Sequence, residues 1–162
     1  MRVRILILGV SAMLLASAPA AIAARPQPVT MTVALVLQGN LEASTTAGTF
    51  SISGALEAIG TETGSGWFAG QGHLRTGEPN SLHSTMRLSG PDGTITVNLV
   101  GLFGQLPAPL ANGDGRWIVS EGTGAYGSLQ GRGTWTALAD FRDAFAHIGP
   151  PRVTFTLSGT VN

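Results

Sequence analysis

Apolar and small polar residues alternate along most of the chain beyond residue 28, and a period of two is typical of half-buried β-strands. The last segment shows this most clearly, because Val153, Phe155 and Leu157 lie on one face while Thr154 and Thr156 lie on the other. The pattern predicts strands over residues 29–38, 50–56, 67–68, 82–88, 95–103, 116–120, 134–139 and 153–161.

Turn-forming residues separate these predicted strands, since glycine supplies positive φ and proline pre-sets the first turn residue. The predicted turns are Gly39-Asn40, Gly64-Ser65-Gly66, Gly90-Pro91-Asp92-Gly93 and Asn112-Gly113-Asp114-Gly115. Residues 105–112 are predicted as a loop, because Pro107 and Pro109 have no N–H to donate to a ladder. Connections this short cannot hold crossover helices, so the strands must pair antiparallel. We expect an all-β, antiparallel, seven- to eight-stranded up-and-down barrel. A barrel is favoured over a sandwich because a closed sheet has no exposed edge strands.

One segment departs from the strand period. Phe141, Phe145 and Ile148 are spaced close to one helical turn, Asp140 precedes them as a possible N-cap, and Gly149-Pro150 follows as a stop. The segment is therefore predicted to be a short helix or an irregular lid whose phenylalanines plug one end of the barrel.

The N-terminus has the layout of a signal peptide. Arg2 and Arg4 precede an apolar run, and Ala21-Ile22-Ala23 forms a small-x-small cleavage pattern. A membrane anchor is the alternative, because the run is about 20 residues long, but it contains Pro19 and ends without a basic stop. We expect a signal-peptide helix over residues 1–23, a single barrel domain over residues 24–162, and a secreted, periplasmic or extracellular location with no membrane attachment after cleavage.

Composition narrows the functional classes. The chain has 162 residues, 23 of them glycine, with no cysteine and with nine basic residues, all arginine, against nine acidic ones. Without cysteine there is no disulfide framework, thiol nucleophile or thiolate metal site. Cleavage would remove Arg2 and Arg4, leaving seven arginines against nine acidic residues, or about −2. This balance argues against nucleic acid as a partner, because such binding needs a basic stripe.

Residues 115–133, with the sequence GRWIVSEGTGAYGSLQGRG, resemble the glycine-rich segment of the dirigent and allene oxide cyclase-like β-barrels, which include bacterial secreted proteins of unassigned function. The resemblance implies a barrel, a possible homo-oligomer, and either cofactor-free cyclisation in an apolar cavity or steering of phenoxy-radical coupling. It does not carry the activity over. The pocket cysteine of the cyclases has no counterpart, and neither the cyclases' glutamate nor the dirigent aspartates match a motif here.

Four residues are candidates for ligand binding: Trp117, Glu121, Tyr126 and Arg87. Tyr126 is placed to cover an open end of the core, while Glu121 is either at a barrel mouth or a solvated turn residue. Arg87 is expected on the barrel exterior; an inward arginine would instead mark an anion site. The glycines around Tyr126 are not a phosphate loop, because the chain has no lysine and no helix pattern follows them.

No metal or cofactor site is predicted. His73, His83 and His147 lack the spacing of metal ligands, and Asp140 with Asp143 is better explained as helix-start charge than as a catalytic pair.

Three functions remain open. The first is binding of a small apolar ligand in or at the barrel, with Ile95, Val97, Leu99, Trp117 and Phe155 or their opposite faces as lining. The second is a cyclase- or dirigent-like enzyme or stereo-directing protein. The third is a non-catalytic interaction protein at the cell surface or outside the cell, with a filled core. Catalysis is the less favoured outcome, since no acid/base cluster is visible.

Overall fold

The structure is a computed structural model that describes residues 25–39, 44–67, 79–106 and 108–162. The predicted signal peptide over residues 1–23 lies outside the described residues, as do Asn40, His73 and Pro107. Within the described residues, eight strands follow one another: β1 (Gln27–Gly39), β2 (Ser44–Gly54), β3 (Ala58–Trp67), β4 (Pro79–Gly90), β5 (Gly93–Gln105), β6 (Leu110–Gly122), β7 (Gly131–Asp140) and β8 (Arg152–Val161).

Each strand pairs antiparallel with its sequence neighbours, and the sheet closes on itself. The order is β1-β2-β3-β4-β5-β6-β7-β8, and β1 returns to pair with β8, with Val33 opposite Phe155. The predicted all-β, antiparallel up-and-down barrel is therefore confirmed. Closure leaves neither β1 nor β8 as a free edge, which removes a template for aggregation.

The strands bury every second residue, as the sequence pattern predicts. In β8 the inward positions Val153, Phe155 and Leu157 are at most 3% exposed, whereas the threonines between them are exposed. Three inward rings form an aromatic cluster in the middle of the core. Phe103 lies 5.8 Å from Trp135 and 6.2 Å from Phe155, and Trp135 lies 5.3 Å from Phe155, centroid to centroid. Such tilted and edge-on contacts add to the stabilisation that burial provides.

Hydroxyl-bearing side chains cross the outer face of β2, β1, β8 and β7. Two rows cross these four strands in register: Ser53, Thr30, Ser158 and Thr134 in one, and Ser51, Thr32, Thr156 and Thr136 in the next. β-Branched threonine suits an extended backbone and keeps the solvent side polar, so the two faces of each strand are clearly distinguished.

Two predicted turns are wrong. Asn112-Gly113-Asp114-Gly115 lies inside β6, and Gly64-Ser65-Gly66 lies inside β3. In β6 the glycines provide space and not a bend, because a Cβ on Gly113 would meet the ring of Phe103, 2.7 Å from Cδ2. The predicted loop over residues 105–112 is also too long, since β6 already begins at Leu110.

Gly90-Pro91-Asp92-Gly93 is confirmed as a turn. Gly90 pairs with Gly93, which leaves Pro91 and Asp92 as a two-residue hairpin loop, and Gly93 has φ 144°. Only glycine adopts such a φ without strain.

The segment between β7 and β8 contains a single helical turn, α1 (Arg142–Phe145). The predicted role of Asp140 is partly confirmed, because its Oδ1 accepts a hydrogen bond from the Arg142 N–H at 3.0 Å, although Phe141 occupies the N-cap position. Phe141 is 3% exposed and contacts the ring of Phe145, at 6.4 Å between centroids. The phenylalanine at 141 thus plugs this end of the barrel, while Phe145 is half exposed.

Candidate ligand-binding groove

The four residues predicted to bind a ligand do not share one site. Trp117 and Tyr126 are buried, at 2% and 5% exposure, whereas Arg87 and Glu121 are exposed. Thr96 of β5 pairs with Arg87 on one side and with Glu121 on the other, so these two charged residues flank it on the outside of the barrel. The expected exterior position of Arg87 is confirmed.

Tyr126 covers the end of the barrel where β6 turns into β7. It belongs to the 3₁₀ turn Gly124–Tyr126, whose first residue has φ 61° and lies against the carbonyl oxygen of Asp92. Burial raises the pKa of the Tyr126 phenol above its ordinary value, and the nearby Asp92 carboxylate raises it further. The side chain therefore acts as a neutral cover of the core, as the sequence predicts.

The inward side chains of the described residues form one continuous hydrophobic core. The residues expected to line an internal pocket, Ile95, Val97, Leu99 and Phe155, are all at most 3% exposed and belong to one continuous core. An internal cavity between β1, β2, β4 and β8 has a volume of about 10 Å³, and Leu37, Ser44 and Ser84 are among the residues that line it. This is room for about one water molecule, whereas small-molecule pockets usually occupy about 300–1,000 Å³.

A much larger depression lies on the outer surface, across β5, β6, β7 and β8. Its volume is about 600 Å³, and we call it the outer groove. The outer groove is lined by Asn98, Val100, Arg116, Trp117, Ile118, Arg132, Gly133, Thr134, Gly159 and Thr160.

The apolar part of the outer groove consists of two exposed side chains. Val100 of β5 is 48% exposed and Ile118 of β6 is 54% exposed. Both are apolar although they occupy solvent-facing positions of their strands. The register places Val100 opposite Arg116 and Asn98 opposite Ile118, so the two apolar side chains are diagonal neighbours. Diagonal positions lie about 7–8 Å apart, which lets one small ligand contact both.

The floor of the outer groove is thin, because glycines occupy the inward positions beneath it. Gly133 and Gly159 are paired across β7 and β8, and the Trp117 indole lies against both from the inside. A Cβ on Gly133 would be 2.7 Å from Trp117 Nε1, and one on Gly159 would be 2.8 Å from its Cζ2. The indole N–H donates to the Ser158 carbonyl at 3.2 Å, which fixes the ring against the wall.

Trp135 supports the neighbouring part of the same wall. Its indole Nε1 donates to the carbonyl oxygens of Val100, at 3.2 Å, and Arg116, at 3.1 Å. These two carbonyls belong to groove-lining residues on adjacent strands, so the buried indole holds both strands from within. The outer groove is therefore built on a rigid wall rather than on loops, which favours a preformed binding surface.

One feature of the sequence indicates the apolar part of this groove. Val100 and Ile118 are apolar at positions where alternation calls for polar residues, in the runs Leu99-Val100 and Trp117-Ile118-Val119. The pairing of β5, β6 and β7 that assembles them beside Arg116 and Arg132 depends on register, which the pattern alone does not specify.

The ion pairs of the described residues lie elsewhere. Arg142 contacts Asp140 through Nη2 and Oδ2 at 2.6 Å and lowers the pKa of that carboxyl to about 2, mainly by hydrogen bonding from its side chain and then from its backbone N–H. Arg152 lies 3.9 Å from Asp143. These exposed pairs explain Asp140 and Asp143 as parts of the α1 segment rather than as a catalytic pair.

In the part of the chain that the structure describes, no three histidine, aspartate or glutamate side chains come together to hold a metal ion. No helix in that part is long and apolar enough to cross a membrane. No protein-family model, curated protein or solved structure matches this chain.

Proposed function

We propose that this protein is an exported, non-catalytic binding module that holds a small apolar ligand at the outer groove. The observation that carries the proposal is the contrast between the 600 Å³ groove and the 10 Å³ internal cavity. A ligand that needs hundreds of cubic ångströms fits the first space and not the second.

The groove has the composition of a binding site for such a ligand. Val100 and Ile118 provide apolar contact, while Asn98, Thr134 and Thr160 supply polar groups beside them. The hydroxyl of Thr85 donates to Asn98 Oδ1 at 3.0 Å and so fixes the orientation of that amide. Apolar surface with a few placed polar groups is the usual composition of small-molecule sites.

Calorimetric titration with para-butylbenzamide, a neutral probe with an apolar body, tests the proposal. The wild-type protein should bind it, and the double variant Val100→Ser/Ile118→Ser should lose that binding. The matched control is Leu102→Ser/Leu138→Ser, because these side chains are 53% and 48% exposed on the same barrel surface but do not line the groove. Absence of binding to the wild type, or equal loss in both double variants, would refute the groove as the site.

Export is supported by the junction between the N-terminal segment and the barrel. The predicted cleavage after Ala23 would leave a mature chain that begins at Ala24. Because β1 begins three residues later, at Gln27, cleavage would remove nothing from the sheet. Expression of all 162 residues in a bacterial host, followed by N-terminal sequencing, should yield a chain that starts at Ala24. A membrane-bound product that retains Met1 would contradict export by cleavage.

An interaction protein with a filled core is the second candidate. It is favoured by the apolar side chains at the barrel end that carries α1, where Phe145 is 49% and Ile148 is 77% exposed. The cyclase- or dirigent-like alternative has less support from the geometry, because it needs an internal cavity and the described interior is packed. Size-exclusion chromatography with Ile148→Ser as a variant distinguishes self-association through this end from ligand binding at the groove.

A further inference from the structure

Two arginines lie at the outer groove without an acidic partner. Arg116 of β6 and Arg132 of β7 both line it and are both exposed, and within the described residues neither forms an ion pair. Asp114 lies two residues before Arg116 on the same outer face, yet it does not line the groove and forms no ion pair with Arg116. The groove therefore presents two guanidinium charges that the protein itself leaves uncompensated.

The strand register brings these two arginines toward one point. Ile118 pairs with Arg132, and Arg116 pairs with Thr134, so the arginines occupy diagonal positions on adjacent strands. Their backbones are then about 7–8 Å apart, and two long side chains at that separation are able to converge on a single anionic group. A guanidinium offers a planar fork of donors that matches the two oxygens of a carboxylate.

The apolar and cationic parts of the groove are contiguous. Val100 is the cross-strand partner of Arg116, and Ile118 is the partner of Arg132, so each apolar side chain lies directly beside one guanidinium-bearing residue. A ligand with an apolar body and a charged end matches this order. A neutral apolar ligand would leave both arginines unused.

We propose that the ligand of the outer groove is an amphipathic carboxylate, with its apolar body on Val100 and Ile118 and its carboxylate between Arg116 and Arg132. This inference rests on the proposed function, because it names the chemical class that the same groove binds. It adds charge recognition, which the proposed function does not require.

The test compares two probes that share an apolar body and differ in the head group: para-butylbenzoate and para-butylbenzamide. Calorimetric titration should show the benzoate binding about tenfold more tightly than the amide, since charge-assisted hydrogen bonds are the stronger ones and exposure reduces their strength. Arg116→Gln and Arg132→Gln should each weaken benzoate binding by about threefold to tenfold, and so reduce the preference for the benzoate over the amide. Raising the salt concentration should weaken only the benzoate.

Arg87→Gln is the matched control, because Arg87 is also exposed on the barrel exterior but lies outside the groove. It should leave both affinities unchanged. Equal affinities for the two probes, or equal losses of benzoate affinity in all three arginine variants, would overturn charge recognition while the amide titration still reports on the groove itself. Failure of both probes to bind would instead overturn the proposed function and this inference together.

Discussion

At the scale of single residues, paired glycines in the barrel wall determine where the large indoles lie. Gly101 of β5 pairs with Gly115 of β6, and Trp135 of β7 pairs with Gly115, so the Trp135 ring lies over a part of the wall that has no side chains. A Cβ on Gly115 would lie 2.8 Å from Trp135 Cε2, and a Cβ on Gly101 would also clash with the ring. Glycine is required here because the indole occupies the space of a side chain.

The variant Gly101→Ala should lower the free energy of unfolding by about 1–3 kcal/mol, the usual cost of overpacking a well-packed core. Its Cβ would collide with the Asp114 carbonyl oxygen, which belongs to the backbone of the paired strand, and with the buried ring of Trp135. Urea unfolding measures the change. Gly104→Ala in the same strand is the control, since the contact found for its Cβ is the Asn112 carbonyl oxygen at 3.5 Å, and it should change stability by less than about 0.5 kcal/mol. Equal losses of unfolding free energy in the two variants would contradict the explanation that Gly101 is required because the Trp135 indole occupies the space of its side chain.

Tyr126 permits a direct test of burial, because it is the single tyrosine of the chain. Burial, followed by the charge of Asp92, raises the pKa of its phenol above the ordinary value of about 10. A raised folded-state pKa stabilises the fold below the unfolded pKa, and that stability is lost as the pH rises through the folded pKa. The phenolate absorbance of the native protein should therefore appear above pH about 10, and its midpoint should return to about 10 in urea.

Asp92→Asn removes the second cause of the raised pKa and should lower the native midpoint without returning it fully to the ordinary value. Tyr126→Phe should abolish the titration. A native midpoint at or below that of the urea-unfolded chain would show that the phenol is solvated and does not cover the core.

At the scale of elements, the strand period was predictable, but the limits of the strands were not. Alternation correctly indicated β4, β5 and β8, because the buried positions of each strand recur at every second residue over most of its length. In β6 the run Asn112-Gly113-Asp114-Gly115 has the composition of a turn, yet it forms ladder pairs with β7. Tertiary packing overrides local propensity there, because Gly113 and Gly115 accommodate the rings of Phe103 and Trp135.

The α1 segment shows how a local ion pair couples to pH. Hydrogen bonds from Arg142 lower the pKa of Asp140 from its ordinary value of 3.8 to about 2. A lowered folded-state pKa stabilises the fold above the unfolded pKa, and this contribution is lost as the pH falls through the folded pKa. Asp140→Asn should therefore be less stable than the wild type at neutral pH, and the difference should disappear as the pH falls from about 4 to 2.

NMR titration of the Asp140 carboxyl carbon measures this pKa directly, and Arg142→Gln should return it toward 3.8. A stability difference between the wild type and Asp140→Asn that stays constant down to pH about 2 would mean that the carboxylate contributes nothing through its charge.

At the scale of the whole molecule, the fold class follows from sequence more readily than the site does. Short connections and a period of two require an antiparallel sheet, and about eight strands suffice to close it around a core of side chains. Whether that core is hollow depends on the volumes of Phe103, Trp117, Trp135 and their neighbours after closure, which no local pattern encodes. Ligand binding by Trp117 and Tyr126 stays a prediction: Trp117 lies in the wall beneath the outer groove, and Tyr126 covers the barrel end, as the sequence indicated.

The closed sheet places the outer groove on the solvent side and the hydrophobic core inside, and β5 contributes to both. Val97 and Leu99 point inward at 0% and 1% exposure, while Val100 points outward into the groove at 48%. Neighbouring methyl groups of one strand therefore report separately on the two faces of the barrel.

The most direct test is methyl NMR of the labelled protein during titration with para-butylbenzoate. The chemical shifts of the Val100 and Ile118 methyl groups should move in a saturable way, while those of Val97 and Leu99 should stay unchanged. Saturable shifts at Val97 and Leu99 with none at Val100 and Ile118 would place the ligand inside the barrel and contradict the account.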